Sequence, residues 1–547
     1  MSRFFAVEMD AFRPGAALPG GAEPWAAQPW ADDPGEAGPT EADETVRASD
    51  MGYRTRESDA DGLQLYPPTV EQAFALDRAM RLDPAGAAVA AGWGSLRLAN
   101  AGRQYDALAA ASNADGRRVR VLMGTKARDA ARGYLVDPPY AELSEVFCGI
   151  GQPWFLEESV LDVPLRDASY WIERPLQTET YAGTGGLEGP ADLAGKLKPK
   201  TRGGSSSYPV RNVTPVLVDP VALIYQYTDG PGTVVALYEG GDAQIPFAGN
   251  VSDLYSGVTP AGQYRTDNSR GLVQLGTRPV RPVTVDVTGA FVVAGAQSTA
   301  AAVARYLLAE DMVLPAEFLD TTSFAALDAA YPWTAGWHWA DATDGAAAAG
   351  LLLASLGARL VPTRDGRLRA VALRALPAGT TPVARLTTAE IVSLRPRALG
   401  APLDPPPYRW RVGYQHAHTV QTSDLDPDVT EARRQFLAAA NRFAVWASTS
   451  VLAAYRRPQD PPELPTALLQ QAHAQALAEA LGALWGTVPA RRLYDVEVPM
   501  EIGLKRDIGD VVSLIYPLHD LDGGWLGQVV GDSLRAQDDT MLLQVLV

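Results

Sequence analysis

Apolar and polar residues alternate along several short stretches of the chain, the period expected of half-buried strands. Trp93-Gly-Ser-Leu-Arg-Leu and Arg118-Val-Arg-Val-Leu-Met both alternate, and the hairpin-turn dipeptide Asp115-Gly116 lies between them. Leu143-Ser-Glu-Val-Phe-Cys-Gly-Ile then leads through Pro153 to Ser159-Val-Leu-Asp-Val-Pro-Leu-Arg-Asp, so residues 48–180 read as a first antiparallel β-domain. One helix is expected inside it, from Thr69 to about Leu82, because Val70, Ala73, Phe74 and Asp77 fall at helix spacing behind Pro67 and Pro68. Val216-Leu-Val, Ala222-Leu-Ile-Tyr-Gln-Tyr, Thr233-Val-Val-Ala-Leu-Tyr and Leu272-Val-Gln-Leu, set apart by Asp229-Gly-Pro-Gly and Glu239-Gly-Gly-Asp turns, predict a second β-domain over 181–290.

The pattern then turns helical and Ala-rich over 291–400, with helices expected at Thr299–Leu308 and Asp344–Leu356, the second entered through Thr343 and Asp344 as caps. An Asp365-Gly366 hairpin and a capping-box pattern at Thr387-Thr-Ala-Glu390 follow. Residues 401–547 open with a strand around Tyr408–Tyr414 and continue with helices at Val429–Trp446 and Thr466–Trp485. Strands at Leu493-Tyr-Asp-Val-Glu-Val, Gly509-Asp-Val-Val-Ser-Leu-Ile-Tyr, Gln528-Val-Val-Gly and Met541-Leu-Leu-Gln-Val-Leu-Val close a final, barrel-like β-domain. The fold class is mainly β with inserted helices (α+β).

The front of the chain, residues 1–47, breaks this pattern. Pro14, Pro19, Pro24, Pro29, Pro34 and Pro39 recur every five residues among Gly, Ala, Asp and Glu, which prevents a helix and most strand pairing and predicts an extended acidic arm. Trp25 and Trp30 lie in that arm, and large aromatics there would either seat it along a neighbouring subunit or pack it as a loop on its own domain. A second Gly- and Pro-rich stretch, 187–219, holds Lys196, Lys198, Lys200 and Arg202 at alternate positions. On an extended segment these cations would grip an acidic partner, or stand as a solvated loop.

At 547 residues the chain predicts about three to five domains. Gly (50) and Pro (42) make up roughly a sixth of it, below the ~25–30% of low-complexity sequences, so it is expected to be globular and rich in turns. A net charge of −17 argues against a sequence-independent grip on nucleic acid and against anionic membrane surfaces. Cys148 is the single cysteine, which excludes an intrachain disulfide and a multi-cysteine metal cage and suits a reducing compartment. Glu8 and Asp10 interrupt any signal-peptide core, and no apolar run reaches the ~18 residues of a membrane span, so no stable membrane insertion is expected.

Candidate chemistry is sparse. His416-x-His418 on a strand would put two imidazoles on one face, but local spacing fixes no third metal ligand, and a solvated strand end is the stronger reading. Asp424-x-Asp426-x-Asp428 opens like a calcium loop, but Val429 and Gln435 stand where Gly and Glu are required, so Asp428 is better read as a helix cap. Gly183-Thr-Gly-Gly lacks the Gly-Lys-Ser/Thr of a phosphate loop. Glu142, Glu145, Glu157 and Glu158 could supply paired carboxylates for glycoside hydrolysis, though spacing alone places no two across a cleft. Trp333, Trp337 and Trp339 would suit a carbohydrate- or receptor-binding groove, and core packing is the stronger reading. No catalytic, cofactor or metal residues are assigned, and the enzyme alternative is a cell-wall or polysaccharide hydrolase.

From about Gly92 onward the sequence resembles the tail-tip, or baseplate hub, proteins of long-tailed phages and prophages. The resemblance lies in Gly94-Ser-Leu-Arg-Leu-Ala-Asn-Ala-Gly-Arg-Gln-Tyr-Asp-Ala-Leu, Val146-Phe-Cys-Gly-Ile-Gly-Gln-Pro, Leu187-Glu-Gly-Pro-Ala-Asp-Leu-Ala-Gly-Lys-Leu-Lys-Pro-Lys and Arg211-Asn-Val-Thr-Pro-Val-Leu-Val-Asp-Pro. It continues through Leu223-Ile-Tyr-Gln-Tyr-Thr-Asp-Gly, the Asp365-Gly366 hairpin and Gly509-Asp-Val-Val. The resemblance implies a structural virion protein with tail-tube-like barrel or sandwich domains in a ring. It implies a homotrimer whose two tube-like domains per chain match a sixfold tube to a threefold tip. The implied neighbours are the distal tail or tube protein, the tape measure protein and a central tip or fibre protein, with phage DNA passing through unbound. The acidic arm from Pro14 to Thr45 departs from that pattern.

Overall fold

The computed structural model describes residues 2–12, 43–85, 92–131, 133–242, 245–290, 298–535 and 538–547. Strands from both ends of the chain meet in one 15-stranded sheet. Its path begins at Asp43–Ser49 and runs through Ser2–Phe12, Arg118–Arg128, Ser144–Gly151, Val160–Arg166, Trp93–Ala99 and Val70–Ala79. It then passes into the C-terminal strands Leu521–Arg535, Thr540–Leu546, Leu493–Pro499 and Ser393–Arg397. Ser2–Phe12 shows why these pieces are strands: Phe5, Val7 and Met9 point into the main core, while Phe4 and Ala6 pack on the other face with Tyr53, Tyr66 and Leu122. The main core is continuous across the whole sheet, with Leu76, Leu96 and Val163 in one cluster with Val496, Val529 and Leu543.

The two halves join where Ala75–Ala79 pairs antiparallel with Gly531–Arg535. Gly531 is required there, because a Cβ would lie 2.9 Å from the Arg78 carbonyl. Buried in this joint, Arg78 donates through Nε to Asp532 at 3.0 Å, through Nη2 to Asp507 at 2.8 Å and through Nη1 to the Pro362 carbonyl at 2.8 Å. The joint therefore binds the first half, the second half and the Ala358–Pro362 hairpin strand through one guanidinium.

Mainly β with inserted helices is what the structure shows, with strand at 39% against helix at 18%. Several local expectations are corrected. The helix expected over Thr69–Leu82 is the strand Val70–Ala79, in which Leu76 and Arg78 are buried and Asp77 and Ala79 exposed. The buried cation Arg78 disguised this alternation. The helix expected over Val429–Trp446 is a short helix, Glu431–Leu437, followed by the strand Arg442–Ala447, paired with Arg409–Tyr414. Asp115-Gly116 joins no hairpin, since Trp93–Ala99 and Arg118–Arg128 pair with other strands. The Thr387–Glu390 box closes one turn, with Thr387 N donating to the Glu390 carboxylate at 2.8 Å, and leads into no helix. The C-terminal strands form no closed barrel among the described residues, because Leu521–Arg535 gives its free edge to the N-terminal half.

Between the halves stand the smaller units. A three-stranded sheet (Val210–Val213, Val283–Thr288, Thr233–Glu239) packs against a five-stranded one through Val213, Tyr227, Val273 and Val285. Ala300–Tyr306, Thr321–Ala330 and Gly345–Ala354 form the helical core, and Asp344 caps the last by accepting from Ala347 N at 2.6 Å. The hairpin Ala358–Pro362/Leu368–Ala372 turns at Gly366, with φ of 79°, and its tip docks on the main sheet where Cys148 N donates to the Arg364 carbonyl at 2.7 Å. Helix Gln471–Trp485 starts later than expected and buries Leu477, Leu481 and Trp485 on the Arg409–Tyr414 pair.

Candidate functional site: an ion-paired cleft and a histidine seam

The alternating cations sit where the strand Lys200–Gly203 pairs with Gly336–Trp339. Lys200 Nζ lies 2.6 Å from Asp229 and 3.0 Å from Asp311, and Arg202 reaches the same two carboxylates at 3.0 and 2.6 Å. All four side chains are almost fully enclosed, from 5% to 11% exposed. Burial pushes the Asp229 carboxyl up, but Arg202 and Lys200 outweigh it and hold that carboxyl below its ordinary value. Lys198 is paired with Glu188 at 3.2 Å and stands 3.8 Å from Glu179, and only Lys196 is exposed.

Above this network opens a polar cleft of about 300 Å³, lined by Gln177, Glu179, Lys198 and Glu310 among others. Its described lining is dominated by charged side chains of both signs, Glu179, Asp229, Glu310 and Asp311 against Lys198, Lys200 and Arg202, an arrangement suited to ion pairing. Trp25 and Trp30, the other residues expected to contact partners, lie outside the described residues.

The pair His416 and His418 is joined by a third imidazole. His416 stacks on Trp337 with ring centroids 4.5 Å apart, and His418 stands edge-on to His416 at 4.7 Å, to Trp337 at 4.9 Å and to His338 at 5.5 Å. His338 comes from Gly336–Trp339, and the other two follow the strand Arg409–Tyr414, so the rings line a seam between separate units. Burial lowers His338 to about 4, and burial also lowers His416 and His418. Among the described residues no group of three or more His, Cys, Asp or Glu is placed to hold a metal ion.

The remaining candidates resolve into structural roles. Trp339 is buried, and Trp333 and Trp337 pack against the helical core and against His473 and His416. Asp426 pairs with Arg281 at 2.7 Å, and the cap of helix Glu431–Leu437 is Thr430 rather than Asp428, because Thr430 Oγ1 accepts from Arg433 N. Glu142, Glu145, Glu157 and Glu158 are all exposed. Sequence reasoning missed Asp229 and Asp311, of which the first was visible only as a turn residue. It also missed His338, 78 positions before His416.

No protein-family model and no curated protein sequence matches the chain. Similar solved structures include a protein from Neisseria meningitidis MC58, with TM-score 0.34 and 10% identity over 91% of this chain and 96% of that one. Another is from prophage MuSo2 of Shewanella oneidensis, with TM-score 0.32 and 9% identity over 90% and 95%. A third is from a Listeria monocytogenes EGD-e prophage, with TM-score 0.29 and 8% identity over 89% and 91%. All three are tail proteins. Similarity of this degree assigns no function to the chain. No described helix is long and apolar enough to cross a membrane.

Proposed function

We propose that the chain is a structural virion protein of a phage or prophage tail, acting as a tip or baseplate hub. The observation that carries this reading is the shared sheet: two β-halves from opposite ends of the chain are fused edge to edge into one plate. The plate's path ends at Asp43–Ser49 on one side and Ser393–Arg397 on the other, each strand-paired on one side only among the described residues. Different edges at the two ends suit head-to-tail contacts, which close into a ring and remove the exposed edges. Pro396 has no donor to offer a ladder, and Arg395 and Arg397 are exposed, so contact at that end would run through side chains. A ring of such plates fits the sequence's resemblance to hub proteins, with a trimer presenting six half-plates to the tube, tape measure and fibre proteins.

The net charge of −17 suits a conduit whose wall repels phosphate and lets DNA slide. The test is cross-linking in purified particles: Thr45→Cys with Arg395→Cys should give a disulfide-linked ladder ending at three chains. A cross-link absent from particles that contain the protein would remove the ring. The same preparation, incubated with peptidoglycan and capsular polysaccharide, is expected to release no soluble fragments. Turnover abolished by substituting one carboxylate would favour the hydrolase.

A further inference from the structure

We infer that the seam formed by Trp337, His338, His416 and His418 is an acid-sensitive latch, which holds the unit of residues 409–485 against the strands Lys200–Gly203 and Gly336–Trp339 when the imidazoles are neutral and releases it when they are protonated. His418 joins the three rings, with its centroid 4.7 Å from that of His416 and 5.5 Å from that of His338. His338 Nδ1 is 2.8 Å from Thr201 Oγ1, whose hydroxyl is also 3.1 Å from the Tyr227 carbonyl, and His416 Nδ1 is 2.9 Å from the Asn441 side-chain oxygen. Both partners are uncharged; the Asn441 oxygen favours a proton on His416, and burial outweighs it.

The charged groups around the rings come from every neighbouring element. Asp229, from the turn after Ile224–Gln226, favours a charge on His338, but it is already engaged by Lys200 and Arg202. Arg442, from the strand Arg442–Ala447, disfavours a charge on His416, and His338 and His416 disfavour one on His418. Arg211, whose carbonyl accepts from His418 N at 3.1 Å, has its guanidinium on Asp286 at 2.6 Å. Tyr414 and Arg433 act on Arg442 from behind the rings. Protonation therefore introduces like charges that this shell does not neutralise. The sign follows from the lowered values: the separated state binds more protons, so the closed seam is favoured above about pH 6.5 and weakens as pH falls toward about 4. Across the seam Gly336 N donates to the Ala467 carbonyl at 3.0 Å, while Trp410, Leu477 and Trp485 of the 409–485 unit share an apolar cluster with Leu493, Val530 and Leu546 of the main sheet. Release is therefore an opening at the ring-bearing strands, and the separate core of the main sheet, with Val496, Val529 and Leu543, can hold at a pH where they loosen.

The test is hydrogen exchange on the full chain between pH 7.5 and 4.5, corrected for intrinsic rates. Protection of Gly336–Trp339, Arg409–Tyr414 and Arg442–Ala447 should fall at least tenfold more than that of Thr540–Leu546. His418→Gln, and separately His416→Asn, should shrink that excess to about threefold or less. Seam protection that stays flat, or falls in step with the main sheet, overturns the latch. If both variants fail to fold, the wild-type profile alone decides. The pH response unchanged in folded variants would also overturn it.

Discussion

Replacing Arg78 by methionine removes a buried cation that ties the two halves of the sheet together. Arg78 and Asp532 have side chains 1% exposed, and the guanidinium also reaches Asp507 and the Pro362 carbonyl. Burial opposes the charge on Arg78, yet Asp532 and Asp507 hold its pKa above the ordinary value, so the cation persists in the joint. Without it, Asp532 keeps Arg364, at 3.6 Å, as its cationic neighbour among the described residues. Breaking a buried pair by removing one partner costs about 3–5 kcal/mol, and Arg78→Met is expected to fall in that range. Arg78→Met with Asp532→Leu also removes the fully buried carboxylate and should recover part of that loss, the rest being held back because Arg364 loses its partner at 3.6 Å. The chain has several units and need not unfold in one step, so the readout is urea-dependent hydrogen exchange of Leu521–Arg535. A single variant costing less than ~1 kcal/mol, or a double variant as unstable as the single, would refute the reasoning.

Three further outcomes follow from local geometry. Gly366→Val forces a side chain into φ of 79° and puts its Cβ 3.1 Å from Cys148 Sγ, so it should cost at least ~1–2 kcal/mol, seen as a lower Tm. Asp344→Ala removes the cap of helix Gly345–Ala354 and is expected to cost about 1 kcal/mol by urea titration. Asp229 has its carboxyl held below 3.8, so the folded state binds fewer protons there, and its stabilisation is present above that pH and lost as pH falls through the folded value. Asp229→Asn should lower stability at pH 7 and flatten that acid limb in denaturation curves measured from pH 5 to pH 2.

Much of the fold was legible because period two survives wherever one face is polar, as in Arg118–Arg128 and Leu493–Pro499. It failed where a charge was buried: Arg78 takes an inward position on a central strand and breaks its apolar alternation, while Val70, Ala73, Phe74 and Asp77 fall at helix spacing. It failed again at 438–447, where Ala and Phe satisfy either period and pairing with Arg409–Tyr414 decided for the strand. Hairpin tips and caps written in adjacent residues, such as Asp365-Gly366 and Asp344, could be read directly. The cation cluster was visible, but Asp311 lies 109 positions from Arg202 and nothing local links them. The histidine seam was half visible for the same reason, since only two of its three rings are neighbours in sequence.

The most direct test of the tail assignment is immunogold electron microscopy of gradient-purified particles, using antibodies raised against the folded chain. The account predicts gold confined to the tail end opposite the head, with the protein co-sedimenting with infectious or transducing particles. Protein recovered only from the soluble fraction, with particles unlabelled and free of it by immunoblot, would contradict a virion role.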